Sequence, residues 1–123
     1  MKKINENSVE FEALFNDLLE LNREMFGINH TKEYCQAKLS LLLEEGGELA
    51  GEIRSFFGRK YRPEKVSTVE KISGEIGDIL NLCFIFCEIF DLDVITVLCN
   101  TRKKLLNRYV EHNKNNTEEP NNE

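Results

Sequence analysis

The chain has no tryptophan and only two histidines in 123 residues, and one of these, His112, sits close to the polar C-terminal end. A Ser-His-Asp or Cys-His catalytic set is therefore poorly supplied. A basic block is missing too: 16 Lys+Arg stand against 22 Asp+Glu, a net charge of −6. Nucleic-acid binders concentrate positive charge on one face, so nucleic acid is not an expected partner. An acidic protein acting on a polyanion needs cations to mediate the contact, which points to metal ions. The opening MKKINENSVE has positive charges with no apolar stretch after them, so no secretory signal is expected. The most apolar run, Ile79 to Phe90, is broken by Asn81 and Glu88 and is too short for a bilayer. A soluble cytoplasmic protein without a membrane partner is expected. Four cysteines (Cys35, Cys83, Cys87, Cys99) show no CxxC pairing. They read as buried free thiols suited to a reducing compartment. Strand-like alternation and long-period repeats are lacking.

What is present is helical, and the fold class read from it is all-α with four helices. Phe11, Leu14, Phe15, Leu18, Leu21 and Met25 recur at helical spacing, which predicts a first helix from Val9 to Met25 with Ser8 as N-cap and Gly27 as terminator. A second helix is expected after Thr31, running to Phe57 and stopped by Gly58. Ser67 and Glu70 match the S-x-x-E capping box, so the third helix is expected to begin at Ser67 and run to about Phe90. It is apolar almost all round beyond Ile79 and needs cover on every side, some of it from a second subunit. Asp93 caps a fourth helix over Val94 to Glu111. Residues 1–112 read as one helical domain and 113–123 as a disordered polar tail.

Two acidic pairs stand out. Glu45 and Glu48 are three apart on the second helix, and Glu75 and Asp78 are three apart on the third, so each pair shares a helix face. Both pairs lie in apolar surroundings, where like charges are unfavourable unless something compensates them. Mg²⁺, a hard cation that prefers carboxylate oxygen, does so, and Mn²⁺ is a possible substitute. Gly46, Gly47, Gly74 and Gly77 lie level with the acids. Mid-helix glycine costs roughly 0.5–1 kcal/mol relative to alanine, and these glycines are expected to let two helix backbones approach closely. The competing reading is that the acids are solvated surface charges.

The stretch LLLEEGGELAGEI (Leu41 to Ile53) followed by EIGDILNL (Glu75 to Leu82) resembles the EExxE…ExxD signature of the MazG-like all-α nucleoside triphosphate pyrophosphohydrolases. KKLLNRY (Lys103 to Tyr109) is similar to that family's Lys-xxx-Asn-Arg segment. The resemblance covers roughly Phe26 to Tyr109. It implies a four-helix MazG-like core, assembled as a homodimer or as a tetramer that is a dimer of dimers. It implies Mg²⁺-dependent cleavage of a nucleoside triphosphate to the monophosphate and pyrophosphate, a role in cleansing the nucleotide pool. Glu45, Glu48, Glu75 and Asp78 would be the metal ligands, and Lys103, Asn107 and Arg108 would contact phosphate or sugar. Glu44 would be the further acid, with Glu44 or Glu45 assisting the attacking water. The chain departs from relatives in lacking tryptophan in the loop at Ile28 to His30, in placing Leu82 where some have tyrosine, and in reading Tyr109-Val110 after Arg108. These departures leave the base open.

Two further residue sets keep two readings each. Arg59 and Lys60, with Arg62 and Lys65, either close over the phosphates or form a solvated basic loop. Asn81, three after Asp78, either reads a base edge or bonds another buried polar group. Beyond the nucleoside triphosphate reaction stand dUTP or phosphoribosyl-ATP hydrolysis, and a non-catalytic helical regulatory protein that kept the fold.

Overall fold

The computed structural model describes residues 10–58 and 68–118. These form four helices and no strand: α1 (Phe11–Met25), α2 (Lys32–Phe57), α3 (Val69–Ile89) and α4 (Val94–Glu118). The chain divides into two compact units, one through Asp91 and one from Leu92 onward. The first holds α1, α2 and α3, and the second holds α4.

In the first unit α3 is the central element, packed against by both α1 and α2. Leu82, Ile85 and Ile89 form its buried cluster, with Ile28, Tyr34, Leu41, Leu42 and Phe86 packed around them. Leu41 and Leu42 meet the C-terminal half of α3, whereas Glu45 and Glu48 meet Glu75 near its start. The two helices therefore run antiparallel. From α1, Phe15 and Phe11 meet the Phe84 ring edge-on, at centroid distances of 5.0 and 6.0 Å, a favoured aromatic geometry.

The caps explain where the helices begin and end. Gly27, at φ 77°, adopts the left-handed conformation that glycine tolerates. Its N–H reaches back to the carbonyls of Asn22 and Arg23 and closes α1. Thr31 caps α2 as expected, its hydroxyl accepting from Tyr34 N. Gly58 ends α2 at φ −94°, an ordinary backbone conformation, so the helix stops there without a left-handed turn. Asp93 Oδ2 accepts from both the N–H and the hydroxyl of Thr96, at 3.0 and 2.8 Å, at the start of α4. The cap of α3 is Thr68, whose hydroxyl accepts from Lys71 N. The helix thus starts later than Ser67: Thr68 caps as well as serine does, and Glu70 falls in the first turn instead of closing a capping box. Ser8, Val9 and Ser67 lie outside the described residues.

Several further expectations change. The inward face of α1 is Phe15, Leu19 and Asn22, while Leu14, Leu21 and Met25 are exposed. Asn22 faces inward with Phe15 and Leu19, and its amide bonds Asn81 of α3 at 3.0 Å. α4 continues past Glu111 to Glu118, so the first part of the expected tail is helical. There His112 and Asn116 are in contact at 3.0 Å, one helical turn apart. None of the four cysteines forms a disulfide, but only Cys87 is buried, and Cys83 and Cys99 are exposed. Finally, a Cβ built at Gly46, Gly47, Gly74 or Gly77 would meet no atom beyond its own helix within 4 Å. These glycines do not serve a close approach of α2 to α3; they leave open space beside the acids.

α2 carries a second pattern on its outer side. Leu39, Leu43, Gly46, Ala50, Ile53 and Phe57 are all exposed and are spaced by alternating steps of four and three. That spacing is the seam of helices that pack side by side. None of the helices is long and apolar enough to cross a membrane.

Candidate metal centre

The antiparallel α2–α3 pair positions the acidic residues. Glu45 and Glu48 share one face of α2, and Glu75 occupies the facing turn of α3. Each of the three offers a carboxylate oxygen, and these oxygens all lie within 4.8 Å of one another. Glu45 and Glu75 are half-buried and Glu48 is exposed. Three like charges so close raise the cost of ionisation, and burial adds to it. The Glu45 carboxyl is pushed up to about 7, mainly by desolvation, then by its interaction with Glu75 and the charges of Glu48 and Asp78. Glu48 is also raised, again mainly by desolvation, with Glu75 and Glu44 contributing.

Two oxygens in this cluster have no partner. Glu45 Oε1 and Glu75 Oε1 are buried and accept no hydrogen bond. Buried carboxylate oxygens are normally satisfied, and an orphan is costly. A divalent cation among three carboxylates would satisfy both oxygens and offset most of the charge. The donor set is all oxygen, as Mg²⁺ and Mn²⁺ prefer.

Asp78 stands outside this close group. It is exposed and lines an adjoining cavity of about 310 Å³, together with Glu45. The other walls come from Asn22 and Phe26 at the end of α1, Lys38 and Leu41 on α2, and Asn81, Leu82 and Ile85 on α3. Carboxylates therefore lie at one side of a mainly apolar cavity with two amides and one ammonium group. Lys38 Nζ lies 5.3 Å from the centroid of the Tyr34 ring, within cation–π range.

The site residues expected from sequence are thus partly brought together. Glu45, Glu48 and Glu75 converge, and Asp78 and Asn81 share the cavity with Glu45. Glu44 is exposed on α2 and acts on Glu48 through its charge. Lys103, Asn107 and Arg108 are exposed on α4, in the second unit, with Lys103 and Asn107 one turn apart. Arg59 and Lys60, like Arg62 and Lys65, lie outside the described residues. Two cavity residues escaped the sequence reading. Lys38 is two helical turns before Glu45, a spacing that places both on one face. Asn22 is a polar residue within an apolar helix, and it could have been singled out on that ground.

Residues 34–112 match the MazG nucleotide pyrophosphohydrolase domain. No curated protein and no solved structure matches the chain.

Proposed function

The chain belongs to the MazG nucleotide pyrophosphohydrolase family, and on that premise we propose that it is a divalent-metal-dependent hydrolase converting a nucleoside triphosphate to its monophosphate and pyrophosphate. The observation that carries this reading is the convergence of Glu45, Glu48 and Glu75 with two buried, unpartnered carboxylate oxygens. Glu45, Glu48 and Glu75 would hold the ion, Mg²⁺ or Mn²⁺, with Asp78, which lines the adjoining cavity, as a further ligand. When bound, the ion supplies charge neutralisation for the phosphates and activation of water.

The protein's own groups do the rest. Phosphoanhydride hydrolysis needs positioning and charge stabilisation more than covalent chemistry. Glu44 or Glu45 orients the attacking water and takes its proton. Lys38 brings a positive charge to the cavity that holds Glu45 and Asp78. Lys103, Asn107 and Arg108 bind phosphate or sugar, and Arg59 and Lys60 add cationic contacts. The matched span runs through both compact units, which supports their acting as one domain. The exposed seam on α2 supports assembly as a homodimer or a dimer of dimers. The substrate is a free nucleotide, with no nucleic acid or membrane partner, and the reaction cleanses the nucleotide pool of the cytoplasm.

The test is product analysis of nucleoside triphosphates incubated with the protein and Mg²⁺. Equal amounts of monophosphate and pyrophosphate are expected, abolished by a chelator and restored by added Mg²⁺. Orthophosphate with diphosphate would show that a different bond is cut. Turnover of no nucleotide would favour the non-catalytic reading.

A further inference from the structure

Lys38 breaks the pattern of the α2 face it occupies. The side of α2 turned toward α3 carries Tyr34, Cys35, Leu41 and Leu42, all packed on the Leu82–Ile85–Ile89 cluster. Lys38 sits in the middle of that stripe, three or four residues from each of them. These four positions are its neighbours on the helix surface, and none is acidic, so the usual lysine partner one turn away is lacking. The side chain is half-buried. Its ammonium rests over the Tyr34 ring, 5.3 Å from the centroid, and no carboxylate among the described residues lies within ion-pair distance of it.

The Tyr34 ring is a fixed support. Its hydroxyl donates to the Gly27 carbonyl at 3.0 Å, and the ring packs on the core cluster. A cation–π contact at a partly exposed site is weak, and it leaves the three N–H donors of the ammonium without a protein acceptor. Lys38 opens on the cavity of about 310 Å³ that also holds Glu45 and Asp78, and it is the only basic side chain among the described residues of that lining. Glu45 lies seven residues further along α2 on the same face, a rise of roughly 10 Å. Charges of opposite sign thus face one cavity from two turns apart without neutralising each other. A half-buried cation without a partner is unfavourable, and an anion standing in the gap removes that cost.

We propose that Lys38 is the phosphate-binding arm of this site: it leaves the Tyr34 ring and donates to a phosphate oxygen of the nucleotide, in the gap between its own turn of α2 and the turn of Glu45. This rests on the nucleotide-hydrolase reading given above and adds a substrate contact to it. A phosphate oxygen is a charged acceptor and forms stronger hydrogen bonds with an ammonium than an aromatic face can, so the exchange runs toward the substrate. The acids of the site repel a polyphosphate, and Lys38 is the group on the same helix that attracts it.

The test is calorimetric titration of inorganic tripolyphosphate, at saturating Mg²⁺, into the wild type, Lys38→Met and Lys38→Arg, with Mg²⁺ alone titrated into each protein as well. Lys38→Met keeps the apolar stem and removes the charge. It should bind tripolyphosphate about ten- to a hundredfold more weakly, the range of one hydrogen bond to a charged group. Its affinity for Mg²⁺ alone should not fall, since losing a nearby cation does not weaken a cation site. Lys38→Arg, which keeps the charge, should bind tripolyphosphate more tightly than Lys38→Met. With nucleoside triphosphates the Lys38→Met loss should fall mainly on KM, not kcat. If Lys38→Met loses its helical circular dichroism, Lys38→Gln takes its place with the same expected loss. Unchanged tripolyphosphate affinity in Lys38→Met, or a wild type that does not bind tripolyphosphate, overturns the proposal, while the hydrolase reading stands on its own product analysis. A matching loss of Mg²⁺ affinity in Lys38→Met, or equal weakness of the Met and Arg variants, also overturns it. A wild type that binds tripolyphosphate through Lys38 but hydrolyses no nucleotide overturns the hydrolase reading alone.

Discussion

Glu45 and Glu75 face one another across the α2–α3 contact, each with its Oε1 buried and without a hydrogen-bond partner. Neither helix could hold this arrangement alone. The pairing depends on the antiparallel packing that seats Leu41 and Leu42 against the Leu82–Ile85–Ile89 cluster. The same contact that builds the core concentrates negative charge beside it, so stability and metal binding should be linked.

One consequence is a pH dependence of the metal-free protein. The Glu45 carboxyl is raised from its ordinary value of 4.5 to about 7 in the fold, chiefly by desolvation and then by Glu75, Glu48 and Asp78. A raised carboxyl favours the fold while protonated. Its contribution is fully present below about 4.5 and is lost as pH rises through about 7. With chelator present, the wild-type melting temperature should fall more steeply across that window than that of Glu45→Gln, which lacks the Glu45 carboxyl. Saturating Mg²⁺ should remove the difference in slope. Parallel wild-type and variant curves in chelator would refute the linkage.

A second prediction concerns the core. Leu19 is 4% exposed and Ile85 is 3% exposed. Leu19→Ala and Ile85→Ala should each cost about 2–5 kcal/mol of unfolding free energy, because each leaves a cavity as well as losing apolar contact. Thr68→Ala removes the α3 cap and should cost about 1 kcal/mol. Urea denaturation followed by circular dichroism orders the three. A Thr68→Ala loss as large as that of Ile85→Ala would show that the cap, not packing, dominates this helix.

Assembly gives a third. Leu43 is 70% exposed and Phe57 76% exposed on the α2 seam, more apolar surface than an isolated helix face keeps without cover. Light scattering at micromolar concentration should give at least twice 14.3 kDa. Leu43→Glu should shift the mass toward that of one chain without loss of helicity. A single-chain mass for the wild type would show that the seam has no partner copy.

The sequence carried the helices and the acidic pairs legibly because both depend on local spacing. Thr31 and Asp93 cap where their side chains and positions suggest, and Glu45 and Glu48 share a face of α2 as their i,i+3 spacing requires, whereas Asp78, three after Glu75, stands outside the close group. What was not legible depended on partners distant in the chain. Asn22 faces inward because Asn81, far along the sequence, bonds it, and no periodicity of α1 contains that fact. Ser67 and Thr68 are chemically equivalent caps, so the choice between them follows from where α3 begins. The glycines beside the acids were expected to bring backbones together, yet they leave open space; spacing alone cannot distinguish closeness from room. Lys38 was missed because a lone lysine on a helix is ordinarily solvated, and only the cavity relates it to Glu45.

The measurement that tests the central claim most directly is calorimetric titration of Mg²⁺ into the metal-free wild type and into Glu75→Gln at pH 8, where the Glu45 carboxyl is mostly ionised. Glu75→Gln keeps the shape of the side chain and removes one charged oxygen donor from the group of three. The wild type should bind Mg²⁺ with a saturable heat of binding and a defined stoichiometry, and Glu75→Gln should bind at least about tenfold more weakly, the loss expected for a damaged ligand set. Equal affinity in the two proteins, with both folded by circular dichroism, would contradict the assignment of Glu45, Glu48 and Glu75 as the metal centre.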